Sequence, residues 1–260
     1  MAASGSHLAV FAPVGATGRV DAVVRRLADA IALGVLADGE QLPSEAELAG
    51  LLGVSTVTLR EALMALRQQG LVETRRGRGG GSFVRTPSEP LELGARLRAY
   101  AVDELRDLGD HYAAIAGAAA RLAARRALPA DVAPLLRSLD DMAAVSGRVA
   151  GRAAGGPSGG PSVDAGSAAL IRLEGRFHVE VAAASQSARL TQEEIRSQAD
   201  IGPLLWLPYG GADGHDEVTA QHRAIVEAIL RGDPDQARDL AERHVCEAME
   251  RLIELRLAVD

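Results

Sequence analysis

The sequence predicts a mainly α-helical protein with one small β-hairpin in its N-terminal third. Aromatic residues make up only 3% of the 260 residues, and β-branched residues are sparse outside short patches, which favours helices over large sheets. Apolar residues recur at helical spacing through most of the chain, whereas the alternation typical of strands is confined to residues 71–86. The length allows two domains of ordinary size, each with its own core.

The first long helix is expected from Arg19 to about Leu36. Asp38-Gly39 is a turn signal, and it ends the pattern. Residues 1–18 show no such periodicity and are expected to form a flexible N-terminal arm. The helix is predicted from apolar residues on one face, namely Val20, Val23, Val24, Leu27 and Ile31.

Two short helices follow with only a tight turn between them. Ser44 and Glu47 form a capping box that starts the first of them, and Gly53 ends it. Ser55 is a good N-cap for the second, which stops at Gly70. This arrangement predicts a helix-turn-helix, in which the first helix braces the second and the second presents its N-terminal end outwards.

A basic hairpin follows the second short helix directly. LVETR and SFVR read as strands, and the glycine-rich segment between them is the tip of a wing. The whole chain has a net charge of −7, but residues 60–85 carry six arginines against Glu61 and Glu73, a net charge of +4. A local positive patch on an acidic protein indicates binding to a polyanion such as DNA.

The rest of the chain is predicted to be an all-helical bundle. Residues 87–95 form a linker, and the helical part covers residues 96–260. Residues 147–167 are rich in Gly, Ala, Pro and Ser and are expected to form a disordered loop. Helices are predicted near residues 91–107, 109–127, 130–146, 168–185, 188–200, 215–231 and 234–258.

Composition also bears on the cellular compartment. The one cysteine, Cys246, excludes a disulfide framework within the chain and fits a reducing cytoplasm. No apolar run reaches the length of a membrane span, and the N-terminus lacks the basic region of a signal peptide. A cytoplasmic protein without a membrane partner is expected.

The motifs of the helix-turn-helix and the wing resemble those of a known family. The run DGEQLPSEAELAGLLGVSTVTLREALMALRQQGLVETRRGRGGGSFV resembles the winged-helix domain of GntR-type bacterial regulators, with the resemblance covering residues 19–86. The helical remainder is similar to the FCD-type effector domain of the FadR subgroup. The resemblance implies a winged helix-turn-helix DNA-binding domain and an effector-binding and dimerisation domain. It further implies a homodimer on a palindromic operator and no enzymatic activity.

The resemblance also indicates the DNA-reading residues. Ala46 and Thr56 stand where the family often has arginine, whereas Arg60 matches the family and is the candidate for a guanine contact. The alternative for Arg60 is a surface ion pair. Val57 is suited to a thymine methyl group. The full set of candidate DNA-binding residues is Ser44, Ser55, Thr56, Val57, Thr58, Arg60, Arg75, Arg76, Arg78 and Gly79.

Four residues of the helical part are candidates for a metal site. Glu174 and His178 lie four residues apart and therefore share one helix face, while His222 and His244 lie on two other helices. One carboxylate and three imidazoles can surround a divalent cation in a helical bundle. The FCD resemblance implies this same ligand set, although the family usually has Asp where Glu174 stands. Zinc is the first expectation, with manganese and nickel as chemical alternatives.

The resemblance implies that the metal helps to hold a small carboxylic-acid effector. Tyr112 stands where the family has an arginine, and Arg172 is a candidate to compensate, with a surface role as its alternative. Tyr112 and Arg172 are therefore the candidate effector-binding residues. The sequence predicts a regulator, expected to act as a repressor, that responds to this acid. The alternatives are a regulator for which the metal ion itself is the signal, and a helical metalloenzyme.

Overall fold

The computed structural model describes residues 5–14, 19–86, 92–153, 165–209 and 212–258. The chain divides into two compact units, Met1–Glu89 and Pro90–Asp260. The described residues are mostly helical, with one two-stranded antiparallel sheet, so the predicted fold class is confirmed. No single helix among them is long and apolar enough to cross a membrane, whereas one pair of short helices, bent by 105°, reaches that length and composition together.

The N-terminal unit contains four helices and the hairpin. The second and third helices pack against the fourth and enclose a core that includes Leu27, Leu48, Leu59 and Leu63. Its elements are α1 (Gly5–Val10), α2 (Arg19–Ala32), α3 (Glu45–Leu52), α4 (Thr56–Gln68), β1 (Val72–Arg75) and β2 (Gly81–Val84).

The helix-turn-helix has the predicted caps. Ser44 Oγ accepts a hydrogen bond from the Glu47 N–H at 3.3 Å and caps α3. Gly53 ends that helix in the left-handed region, at φ 65°, where a side chain would be strained. Ser55 Oγ then accepts from the Thr58 N–H at 3.1 Å and starts α4. These local contacts set the turn between the two helices.

The hairpin pairs Val72 with Val84 and Arg75 with Gly81. Phe83 also forms a bridge to Gln41, which joins the hairpin to the segment before α3. At the tip, a Cβ on Gly80 would lie 2.5 Å from the Arg75 carbonyl oxygen. The tight turn of the wing therefore requires glycine there.

Residues 5–14 differ from the flexible arm that the sequence predicts. They contain α1, which buries Ala9 and Val10, and the Val14 N–H donates to the Leu52 carbonyl at 2.8 Å. Arg26 donates to the Ala12 carbonyl and fixes the segment to α2. A six-residue helix is too short to show periodicity, so its formation depends on these tertiary contacts.

The C-terminal unit is all helical among its described residues. The predicted helix at 91–107 is divided in two at residues 99–101, and the helices on either side of the predicted 147–167 loop extend into it, to Ala153 and from Ala165. Residues 154–164 lie outside the described residues. The elements are α5 (Leu93–Arg98), α6 (Val102–Arg126), α7 (Pro129–Ala153), α8 (Ala165–Ala184), α9 (Ala188–Asp200), α10 (Gly202–Leu205), a 3-10 helix (Leu207–Tyr209), α11 (Ala212–Leu230) and α12 (Pro234–Ala258).

Two hydrophobic clusters form the core of this unit. One contains Tyr112, Trp206 and Val245, and the other contains Phe177 and Ile225. Helix α12 packs against α6, and α8 packs against α6, α7 and α9. The polar site described next contacts aromatic rings of both clusters.

Candidate metal centre and nucleic-acid interface

The structure brings Glu174, His178, His222 and His244 together. Glu174 and His178 project from one face of α8, and α11 and α12 contribute the other two imidazoles. One ligand atom from each residue lies within 4.8 Å of all the others. The four residues are between 0% and 9% exposed, which excludes an ordinary surface cluster.

The spacing of the donor atoms suits a small ion. Glu174 Oε1 lies 3.3 Å from His178 Nε2, 3.1 Å from His222 Nε2 and 3.7 Å from His244 Nε2. His244 Nε2 lies 3.2 Å from His222 Nε2 and 3.3 Å from His178 Nε2. Tetrahedral zinc, with bonds of about 2.0–2.1 Å to nitrogen, separates its ligand atoms by about 3.3–3.4 Å. The donor set and these five separations therefore fit a small divalent cation.

The electrostatics favour the metal-binding form at three of the four residues, Glu174, His222 and His244. Burial alone would raise the pKa of Glu174, but the three neighbouring imidazoles, His222 first, hold it well below its usual value. Burial lowers the pKa of His222 to about 4 and also lowers the pKa of His244. Burial opposes a charge on His178 too, but its hydrogen bond with Glu174 raises the pKa overall. An ionised carboxylate and neutral imidazoles are the forms that bind metals.

Neighbouring groups orient the ligands. His244 Nδ1 lies 2.7 Å from Gln221 Oε1, an acceptor, so Nδ1 carries the proton and Nε2 keeps its lone pair for the cluster. Gln221 Nε2 in turn donates to Glu247 at 2.8 Å, which fixes the direction of the amide. The His222 ring stacks on Phe177 at 4.0 Å. Among the described residues, Glu174 Oε2 is buried and has no hydrogen-bond partner.

A cavity of about 20 Å³ adjoins the cluster. Tyr112, the first predicted effector residue, lies on its wall and accepts a hydrogen bond from Gln198. Gln198 also donates to the buried Glu194 at 3.3 Å, and burial raises the pKa of that carboxyl. Arg172, the second predicted residue, is exposed on α8 and does not line the cavity. The full lining is Tyr112, Glu174, His178, Gln198, Gly202, Leu205, Trp206, Tyr209, Val218, His244, Val245 and Ala248.

For several residues of this site, the sequence alone gives little indication that they belong to it. Gln198 and Glu194 occupy the buried face of α9, where apolar residues are expected. That pattern is the one hint available before the fold is known. Trp206, Tyr209 and Gln221 look like ordinary core or surface residues in the sequence. Their position beside the cluster depends on how α10, the 3-10 helix and α11 pack.

The candidate DNA interface begins at the N-terminal end of α4. Thr56 and Val57 are exposed there, whereas Ser55 and Thr58 are hydrogen-bonded to each other at 2.9 Å as part of the cap. Ser44 is likewise engaged as the cap of α3. Arg60 is exposed, and its Nε donates to Glu45 at 2.7 Å. The ion pair foreseen as the alternative for Arg60 therefore exists in the DNA-free protein.

The three wing arginines differ in their contacts. Arg75 donates to Glu73 at 2.7 Å and its guanidinium lies 4.2 Å from the centre of the Phe83 ring. Arg76 and Arg78 are exposed and form no ion pair with any described residue. Gly79 follows them at φ 82°, in the turn. The charge available to an external anion is therefore greatest at Arg76 and Arg78.

Comparison with known proteins identifies the family. The model of the gntR family of bacterial regulatory proteins matches residues 19–81, and the FCD domain model matches residues 107–246, more than half of the chain. This chain belongs to the GntR family of transcriptional regulators. All four cluster residues fall inside the FCD match. Members of the family are DNA-binding regulators rather than enzymes, so the metalloenzyme alternative is set aside.

Two relatives by sequence agree with this family assignment. A candidate HTH-type transcriptional regulator of Mycobacterium gastri, RmpR, is 39% identical over 248 residues, which cover 93% of this chain and 82% of the relative. A candidate L-lactate dehydrogenase operon regulatory protein of Escherichia coli K12 is 32% identical over 85% of this chain and 84% of its own length. The solved structure of E. coli McbR/YncC covers 94% of this chain and 99% of its own, at 17% identity and a TM-score of 0.49. GntR-type regulators bind operator DNA, and FCD domains bind small-molecule effectors.

Proposed function

We propose that this regulator is a cytoplasmic, homodimeric repressor of the FadR subgroup. In this proposal a small carboxylic acid binds beside a divalent metal ion and changes the affinity for a palindromic operator. The observation that supports it most is the convergence of three imidazoles and one carboxylate, with ligand atoms within 4.8 Å of one another, next to a cavity. Binding of the acid to one of two arrangements of the dimer would shift the population between them.

The chain's own residues account for each part of the site. Glu174, His178, His222 and His244 would hold the ion, and Gln221 would keep His244 in the required tautomer. When bound, the ion supplies the positive charge that a ligand carboxylate needs in this buried place. The nitrogen-rich donor set supports zinc first, with manganese and nickel as alternatives.

The winged helix supplies the DNA-binding surface in this proposal. Arg76 and Arg78 would contact phosphates, and Gly79 would let the backbone of the wing lie close to them. Thr56, Val57 and Arg60 would face base edges in the major groove. Arg60 would exchange its bond to Glu45 for a guanine contact, so Glu45 holds the side chain ready in the free protein.

The metal content of purified protein tests the site. The wild type should bind about one zinc ion per chain, and His222→Ala should lose it, as measured by elemental analysis and zinc titration. His111→Ala removes an exposed histidine of the same unit and is the matched control, which should retain the ion. Wild-type protein that binds no divalent ion under these conditions would contradict the proposal.

Titration of DNA affinity separates the acid sensor from a metal sensor. A DNA ligand can be selected from random duplexes with the full-length protein. If the acid is the signal, zinc alone should leave the affinity nearly unchanged, and a carboxylate should change it only when zinc is present. A full response to zinc without any acid would instead favour the metal-responsive alternative.

A further inference from the structure

We propose that the cavity beside the metal cluster selects monocarboxylates and rejects dicarboxylates. The uncharged part of the bound acid carries a hydrogen-bond acceptor for Trp206 and Tyr209. This inference rests on the proposed function, because it assigns the ligand class of the same site. It is argued from the charges, the unpaired donors and the apolar surface of the cavity wall.

The cavity offers no second positive group. Its described lining contains no arginine or lysine, and its charged members belong to the metal cluster. Arg251 lies against the Tyr209 ring, but its guanidinium is held by two hydrogen bonds to Glu217, at 3.0 and 2.5 Å. A first carboxylate can be neutralised at the metal. A second would be buried without a counter-charge among the lining residues, and this is strongly unfavourable.

Two residues that line the cavity each carry a buried hydrogen-bond donor with no partner in the described part of the chain. Trp206 Nε1 and the Tyr209 hydroxyl are buried, and neither makes a hydrogen bond with any described residue. Trp206 is 7% exposed and Tyr209 3% exposed. An indole N–H can only donate, so burial without an acceptor leaves it unsatisfied. An acceptor on the bound molecule would satisfy both groups.

The two rings are fixed by their neighbours. The Trp206 ring stacks on His215 with centroids 5.0 Å apart and an angle of 17°. The Arg251 guanidinium lies 4.8 Å from the centre of the Tyr209 ring. These contacts orient the two rings in the ligand-free protein.

The remaining wall is apolar. Leu205, Val218, Val245 and Ala248 suit the hydrocarbon part of a ligand. The volume of about 20 Å³ is enough for roughly one water molecule, which is the competing partner for the two donors. A larger ligand requires the wall formed by α10 and the 3-10 helix to move outwards.

Three acids with five carbon atoms test the proposal: pentanoate, 4-oxopentanoate and pentanedioate. Each is titrated calorimetrically into zinc-loaded, full-length protein. The oxo acid should bind about tenfold more tightly than pentanoate, because its carbonyl accepts from the two donors, and pentanedioate should bind most weakly. Trp206→Phe and Tyr209→Phe, singly and together, should lower the affinity for 4-oxopentanoate more than that for pentanoate, so that the ratio of the two affinities falls towards 1. Tyr100→Phe removes a hydroxyl that lies outside the cavity and is the control.

Each outcome decides between the two proposals. Zinc-dependent binding of pentanoate without an advantage for the oxo acid would overturn the ligand assignment and leave the proposed function standing. Tightest binding of pentanedioate would do the same. If none of the three acids binds with or without zinc, the ligand assignment fails, and the metal content of the protein decides whether the proposed function stands. Should the variants not fold, the wild-type ranking of the three acids still decides the question.

Discussion

At the scale of single residues, the orientation of His244 depends on one side-chain amide. Gln221 is part-buried and accepts from His244 Nδ1, while its own amide donates to Glu247. This chain of bonds sets both the tautomer and the ring direction of a proposed ligand. Such outer contacts typically change metal affinity by about 10–100-fold.

Replacing Gln221 therefore tests the site without removing a ligand. Gln221→Ala should lower zinc affinity by about 10–100-fold, because His244 loses its fixed tautomer. Competition with a chromophoric chelator measures the change. Gln236→Ala, at an exposed glutamine of α12, is the control. An affinity equal to that of the wild type would show that Gln221 does not position His244.

The wing arginines give a second prediction at this scale. Arg76→Ala and Arg78→Ala should each weaken binding to all duplex sequences alike and reduce the slope of log affinity against log salt by about 1, because each removes one phosphate contact. Fluorescence anisotropy at several salt concentrations measures both effects. Arg137→Ala, at an exposed arginine of the helical unit, should change neither. Unchanged slopes in the wing variants would argue against contact with phosphates.

The candidate site was only partly predictable from residues. The Glu174–His178 pair follows from helical spacing alone, since residues four apart share a face. Its meeting with His222 and His244 is implied by the family resemblance and not by local pattern. Trp206 and Tyr209 were not predicted, because an unsatisfied donor is a property of the folded surroundings.

At the scale of elements, caps explain what the sequence could predict about the fold. Ser44 and Ser55 bond to backbone groups three residues ahead, so the starts of α3 and α4 are encoded locally. Helix α1 and the extension of α7 to Ala153 have no such local signal. The first depends on tertiary contacts, and the second lies in an Ala- and Gly-rich segment that reads as a loop by composition.

Helix α1 should therefore contribute to the stability of the N-terminal unit. Deleting residues 1–14 removes the buried Ala9, Val10 and Val14 and the backbone bond to Leu52, which should cost about 2 kcal/mol. Urea unfolding followed by circular dichroism measures the loss, and deletion of residues 1–4 is the control. The segment lies against Gly53 at the end of α3, the first helix of the helix-turn-helix. Its removal should therefore also lower DNA affinity. A truncation as stable as the full chain would show that the packing of α1 is incidental.

At the scale of the whole molecule, positive and negative charge are concentrated in different parts of the chain. The net charge of −7 conceals a positive patch at residues 60–85, where duplex DNA is expected to bind, and an acidic remainder. The proposed acid site lies in the other compact unit, within the FCD match. In the proposed function, communication between the two sites is a coupling free energy, and it must be reciprocal.

Reciprocity gives the sharpest test of this coupling. If 4-oxopentanoate changes operator affinity by some factor, commonly about 5–150-fold, saturating DNA must change the affinity for the acid by the same factor. Anisotropy with and without the acid gives the first factor, and calorimetry with and without DNA gives the second. Chelation of the metal should bring both factors to about 1, because the acid loses its anchor while the wing still holds its charge. A ligand can shift an equilibrium only if it binds the two states with different affinity. If the two factors stay equal and above 1 after chelation, the acid acts from a site other than the metal cluster.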